Sequence, residues 1–470
     1  TFNNLAVQYD GVETDKTLTL RSSTYNSGII AIEGDALENN VTGSMDIYST
    51  VRYVGSGQVI FGGYYGTLVI AGDGSIGENV ISIMADRNIS AGSLKIGHSA
   101  IGSEVVFLVE GENNSVFVFG ATEIFGEGIL RVQDGTVTLN YSLDMTSGFI
   151  ENTGTGNGEI IYNGSSAIVG ATASNFTAGQ NTFSYMRTGN QVVEGQWEYY
   201  NLKLGGSGIK TVDIADFTIN NLIMESSGSN LTALINGNMT AKTIDFSDAG
   251  QTLYRELLQL TGSLTVDNDG MDTASGTVEY VWGGSGREIN SNVDYYHLVL
   301  SDGLAATGSY STANGFTVYS DFILNSDFDY IDMGTDELTV MGNTQLNNAT
   351  FKAAGSTINL NDIDLTNGIL DFVDSVATGG VVRLSGDVTV TNLNNFNAGT
   401  STFIYNGTDV DNLQTIVDFT YYNLEVSGAD KTASDITVDN VFTVRDNTSV
   451  QIDGDVSADT LEFVTGTTTV

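Results

Sequence analysis

Two histidines, His98 and His297, and a few clusters of aspartate are the side chains of this 470-residue chain best suited to chemistry. A histidine can move protons near neutral pH or ligate a metal, but neither has a second histidine near it in sequence. Nothing in the chain resembles a nucleophile elbow, and without cysteine the soft ligands are too few for zinc. Both histidines are therefore read as structural. The aspartates suit a harder cation. Asp267-Asn268-Asp269-Gly270-Met271-Asp272 sets three carboxylates at alternating spacing around a turn glycine, an arrangement that suits calcium. Asp267, Asp269 and Asp272 are thus the calcium candidate, although no glutamate closes a helix-loop-helix site. Asp327, Asp329 and Asp332, and Asp453 with Asp455, are lesser options. The alternative at each is an aspartate-rich turn without metal. No motif requires a cofactor.

Composition bounds the rest. There are 57 acidic residues against 16 basic ones, a formal charge of −41. With no basic stripe to meet phosphates, nucleic acid is excluded as a partner. The absence of cysteine excludes a disulfide framework and thiolate-bound metal. No apolar run approaches the ~18 residues of a membrane span. Thr1 opens no signal peptide, so an extracellular or cell-surface location implies a targeting segment already removed. At 41% hydrophobic residues the chain can bury a core and is not a disordered acidic tail. Average usage would place roughly 20 or more prolines in this length, and there is none.

Apolar residues alternate with polar ones in short bursts, as in Ile436-Thr437-Val438, Val388-Thr389-Val390 and Ile358-Asn359-Leu360. Period two means half-buried strands. Only Leu253 to Leu260 is spaced as a helix could be. One phrase recurs: Tyr199-Tyr200-Asn201-Leu202-Lys203-Leu204, Tyr295-Tyr296-His297-Leu298-Val299-Leu300 and Tyr421-Tyr422-Asn423-Leu424-Glu425-Val426. Phe2-Asn3-Asn4-Leu5-Ala6-Val7 is a fourth copy, and residues 64–70 hold a looser fifth. An aromatic strand precedes three copies: Thr182-Phe183-Ser184-Tyr185, Thr277-Val278-Glu279-Tyr280 and Thr402-Phe403-Ile404-Tyr405. Farther downstream, residues 236–244 match residues 453–461. The copies are unevenly spaced, 96 residues from Tyr200 to Tyr296 and 126 from Tyr296 to Tyr422. Tandem sandwich domains would keep a steadier period. A solenoid tolerates whole extra turns, because each coil touches only its neighbours. It also explains the missing proline, since interior strands need every N–H for the ladder. The expected fold is all-β: one continuous, elongated parallel β-solenoid over residues 1–470, right-handed, with roughly 20 to 24 coils at the 4.8 Å spacing of paired strands.

The repeated Asn4, Asn201 and Asn423 are expected to bridge backbone groups of adjacent coils. Tyr200, Tyr296 and Tyr422 belong to the same ladder and, if exposed, would form a ledge for sugars. The run Thr402-Phe403-Ile404-Tyr405-Asn406-Gly407 with Gln414-Thr415-Ile416, Tyr421 to Gly428, and Lys431-Thr432 resembles the repeat of large secreted β-solenoid surface proteins of Bacteroidota, of filament and adhesin type. The resemblance implies an extracellular structural or adhesive role and brings no catalytic residues with it. The sorting domain usual at the C terminus of such proteins is not seen.

Both ends read as uncapped. Phe2, Asn4, Leu5 and Val7 begin inside a repeat, and Phe463, Val464 and Val470 belong to a β-prone tail with no charge after Glu462. Open strand edges favour pairing with another chain. The leading expectation is a non-enzymatic subunit that stacks head to tail with itself in a surface or matrix filament, where salt or calcium screens the acidic surfaces. A monomeric adhesin stalk or carbohydrate-binding rod, with polysaccharide or other cell-surface partners, is the alternative. A polysaccharide lyase or hydrolase stands third, because such enzymes need acids gathered on one face and no basic cluster here would hold a polyuronate. Asn-x-Ser/Thr sequons are frequent and leave glycosylation open.

Overall fold

The computed structural model describes residues 18–20, 29–32, 45–54, 57–60, 62–72, 76–83, 87–99, 102–246, 255–267, 269–282, 286–302, 309–325, 330–333, 335–352, 355–373, 379–445 and 448–464. Phe2, Asn4, Leu5, Val7, Asp327, Asp329 and Val470 lie outside them. The chain is 62% strand and 1% helix, and its coils stack in parallel as a β-solenoid of about 16 turns. It divides by contact into two compact units, residues 1–234 and 235–470.

In the first unit the strands keep the alternation read from sequence, and in-register pairing turns it into columns. Ile89, Val116, Val137, Ile160, Phe183 and Leu202 follow one another on successive coils. Two residues farther along, Ala91, Val118, Leu139, Tyr162, Tyr185 and Leu204 form a second column. All twelve are buried. The outward residue between the columns changes freely, from Ser90 through Phe117 and Thr138 to Lys203. A second sheet of this unit stacks Gln58–Ile60, Gly77–Ile83, Ser103–Val109, Gly128–Val132, Phe149–Asn152 and Phe176–Ala178.

The second unit repeats the plan. Ile358, Val382, Phe403, Leu424, Phe442 and Leu461 make one column, and Leu360, Leu384, Tyr405, Val426, Val444 and Phe463 the other. A three-stranded sheet of Gln414–Ile416, Lys431–Ala433 and Val450–Ile452 closes these coils on another side. Glu256–Leu260, the described part of the stretch with helix-like spacing, is a strand. Parallel pairing of Leu258 with Val278 and Leu260 with Tyr280 decides its conformation; tertiary pairing overrides local propensity here.

The count of about 16 turns is below the expected roughly 20 to 24, and the length of a coil varies. Thr182 pairs with Asn201, a step of 201 − 182 = 19 residues, whereas Leu94 pairs with Thr122, a step of 122 − 94 = 28. The extra residues lie in the arcs between strands, which leaves the columns in step.

Tight corners use glycine where no side chain fits. Gly428 has φ +81°, and a Cβ there would lie 2.5 Å from the Gly407 carbonyl oxygen of the preceding coil. Gly428→Ala should therefore cost about 1–3 kcal/mol, from the left-handed backbone and the clash together. A fall in the urea midpoint at unchanged slope would check it; an unaltered midpoint would show that the corner relaxes.

Candidate functional site: tyrosine pairs and an open coil edge

The recurring aromatic phrases meet across neighbouring coils as pairs of buried hydroxyls. Tyr185 and Tyr199 stand 2.9 Å apart through their oxygens, Tyr280 and Tyr295 3.0 Å, and Tyr405 and Tyr421 2.8 Å. Each pair clasps one residue of the arc that joins its two strands. The Glu194 N–H donates to Tyr185 Oη at 3.1 Å, and Tyr199 Oη donates to the Glu194 carbonyl at 2.9 Å. Asn290 takes the same place at 3.4 and 2.6 Å, and Val417 at 3.2 and 2.7 Å. The first tyrosine thus accepts from the backbone and donates to the second, which donates back to the same residue. The clasped residues, Glu194, Asn290 and Val417, are half-buried, and the tyrosine hydroxyls satisfy their backbone groups. A fourth pair, Tyr53 and Tyr65, is looser at 3.4 Å.

Two of these modules also bury a lysine. Gln191 Nε2 donates to the carbonyls of Tyr162 at 2.7 Å and Gly164 at 3.1 Å. Lys210, on the strand paired with it, donates to the carbonyls of Arg187 and Gly189. Gln414 repeats the first pattern on Leu384 and Gly386, and Lys431 the second on Gly407 and Ala429. In the middle module the paired positions are Arg287 and Tyr310. Arg287 covers the Trp282 ring at 3.7 Å, and Tyr310 donates to the carbonyls of Tyr280 and Ser301. Burial pulls Lys210 down to about 8, with Arg187 adding to the shift. These lysines escape notice in sequence because arcs of unequal length separate them from their glutamines.

Asn201 and Asn423 are both half-buried and reach neighbouring coils, but only the Asn201 side chain meets a backbone group, as expected; that of Asn423 meets side chains. Asn201 Nδ2 reaches the Gln180 carbonyl at 2.6 Å, and its oxygen accepts from Asn221 at 2.6 Å. Asn423 accepts from Asn440 at 2.8 Å and approaches Thr402 Oγ1 at 3.4 Å. His297 holds the same ladder position opposite Thr277. Its buried ring places Nδ1 3.3 Å from Asp321 Oδ2, and the Tyr296 ring lies edge-on against it. Tyr200, Tyr296 and Tyr422 are half-buried, while Tyr199, Tyr295 and Tyr421 are buried, so the tyrosine phrases go largely into packing.

The calcium candidates do not converge. Asp272 caps its own turn, accepting from the Ala274 N–H and the Ser275 hydroxyl, and Asp269 sits at φ +63°. Among the described residues, no three His, Cys, Asp or Glu side chains gather as a metal would need.

Val456–Val464 is the last described strand of the second unit. Among the described residues, Val456–Val464 pairs on one side only, with Ile436–Arg445. Its inward residues are bare: Val456 is 47% exposed, Leu461 50% and Phe463 73%. Val464, the last described residue, is also exposed. The matching internal strand, Asn238–Phe246, shows the covered state. Met239 and Ala241 pair with Leu264 and Val266 of the next coil, Ile244 bridges to Met271, and Phe246 falls to 3% exposure.

Tyr421→Phe would take away the acceptor of the buried Tyr405 hydroxyl and one of the two donors to the Val417 carbonyl, the Phe419 N–H remaining at 2.8 Å. It should cost about 1–3 kcal/mol, read as a lower denaturation midpoint. The pH dependence has a sign. Burial pushes Tyr162, Tyr280 and Tyr405 up to about 12 from an ordinary 10.0. The unfolded chain therefore loses these protons first, and stability falls as pH rises above about 10. Tyrosinate absorbance from these rings should appear together with loss of the strand signal; a smooth early titration would contradict their burial.

Comparison with protein-family models, with curated proteins and with solved structures finds no match to this chain.

Proposed function

We propose that this protein is a non-enzymatic structural subunit, a β-solenoid that stacks head to tail with copies of itself in a filament at the cell surface or in an extracellular matrix. The reading draws on the pair of core columns whose last described members, Leu461 and Phe463, are exposed and have no described neighbour beyond them. A strand with one free edge and a bare apolar face is a template for strand addition. Contact between unlike ends does not close on itself, so it propagates. The charge of −41 opposes association; salt screens that repulsion, and divalent cations would act between neighbouring solenoids.

A second reading, an adhesin stalk or carbohydrate-binding rod, draws on the exposed aromatic surface of the first unit. Phe119 is exposed and touches Phe117 at a ring separation of 4.7 Å and Tyr64 at 6.4 Å. These rings lie beside a glycine column, since a Cβ on Gly92 would meet the Gly66 carbonyl and one on Gly120 the Gly92 carbonyl. Covering exposed glycine backbone is a sufficient role for them.

Sedimentation velocity and negative-stain microscopy at rising salt should show growing oligomers that lengthen along one axis. A single monomeric species at every salt and protein concentration would overturn the assembly.

A further inference from the structure

Two adjoining clefts of about 310 Å³ each open on the second unit and share Asp294 and Gly315. Asp269, Asn292 and Tyr319 line the first, and Thr317, Glu337 and Thr339 line the second. Their walls come from successive coils: Tyr295 bridges to Val318, and Thr317 and Val318 pair with Thr339 and Val340. From Asp294 to Thr339 the opening therefore follows the stack for two coil steps, roughly 10 Å at ladder spacing. That shape suits a chain-like ligand better than a compact one.

The walls are fixed by the protein itself. Gly315 is exposed, and a Cβ there would stand 2.6 Å from the Glu337 carbonyl oxygen, so the shared floor stays open. Side chains of the preceding coil pin the backbone around it. Ser291 Oγ accepts from the Ala313 and Asn314 N–H groups at 3.2 and 2.9 Å. Asn292 Oδ1 accepts from Asn314 Nδ2 at 3.0 Å, and Asp294 Oδ1 from the Thr317 N–H at 2.6 Å. These bonds use one oxygen of Asp294 and the amide oxygen of Asn292. The other Asp294 oxygen, the Asn292 amino group, the Asp269 carboxylate and the Tyr319 hydroxyl make no protein hydrogen bond among the described residues.

We propose that this cleft binds a neutral polysaccharide. Carboxylates accept charge-assisted hydrogen bonds from hydroxyls, and an amide N–H donor serves the oxygens of the sugar. Tyr319, 39% exposed, offers a ring whose electron-rich face meets the C–H face of a sugar ring. Anionic chains are turned away, because Asp269, Asp294 and Glu337 line the clefts and no described lining residue is Lys, Arg or His. The three acids do not gather as a metal would need, which leaves them to hydroxyls. The cleft is independent of head-to-tail stacking; it rests on the carbohydrate-binding reading and gives that reading a site in the second unit.

Titration calorimetry of the full-length protein with neutral oligosaccharides of glucose, mannose, galactose and N-acetylglucosamine tests it, with galacturonate and glucosamine oligomers as charged comparators. A neutral oligosaccharide is expected to bind, and the galacturonate oligomer is not. Y319A and D294N should each weaken that binding about tenfold at an unchanged denaturation midpoint, since Asn at 294 still accepts from Thr317. F119A, at the exposed rings of the first unit, should leave it unchanged. Binding that F119A abolishes, or that Y319A and D294N do not alter, would overturn the cleft and leave the carbohydrate-binding reading standing. Binding of the glucosamine oligomer alone, lost at high salt, would show plain attraction to an acidic surface and overturn the proposal. No binding of any saccharide would overturn both.

Discussion

Every coil of this protein depends on the backbone hydrogen bonds of a parallel, in-register ladder. In such a ladder a residue turns both its N–H and its C=O to one neighbour, as Tyr295 donates to Thr317 and accepts from Tyr319. Alternate residues serve opposite neighbours, which leaves no place for proline in an interior strand. The chain has none in 470 residues. The same register sends each inward side chain onto its counterpart one coil away, so the core consists of columns rather than a single centre. A column is stable only while there is a next member. Phe442 is buried beneath Leu461, and Leu461 has no described neighbour above it. Exposure at the last described coil follows from the constraint that makes the other coils stable.

The second requirement is to carry irregular backbone between strands without leaving buried amides unpaired. The tyrosine pairs do this with hydroxyls, and Gln191, Lys210, Gln414 and Lys431 do it with side-chain donors aimed at carbonyls. A buried cation without a carboxylate partner is normally costly. Here several oxygen dipoles take that partner's place, and the depressed pKa of Lys210 reflects the remaining cost. The middle module reaches the same end with Tyr310, whose hydroxyl caps two carbonyls. The modules conserve satisfied polar groups more closely than residue types.

Much of this was legible before any coordinates. Alternation of Ile358-Asn359-Leu360 with its many echoes implied half-buried strands, and unequal spacing of the Tyr-Tyr phrases implied stacked coils rather than tandem domains. The Tyr-Tyr phrase and the upstream Thr-x-x-Tyr strand were visible separately, but not the hydroxyl bond between them, because that bond depends on how the arc folds. The inward turn of Lys210 and Lys431 was not legible, since a solvated lysine and a buried one have the same sequence signature. The alternating aspartates of 267–272 suggested a cation loop, yet Asp272 turns back to its own backbone and hydroxyl neighbours. Unequal arc lengths leave no periodic trace, so the coil number was not legible.

The placement of the basic residues bears on how the protein withstands digestion. A protease that cuts after lysine or arginine must draw several residues of extended chain into its cleft. Lys210 and Lys431 are sealed in the interior, where their strands are paired on successive coils. Lys95, Arg131, Lys203 and Arg445 lie along the ladder against glutamates of other strands. Peeling such a strand away breaks hydrogen bonds on both sides at once, so these peptide bonds become cleavable only when a coil opens. At these six positions a trypsin-like enzyme would find little to cut until the stack itself came apart.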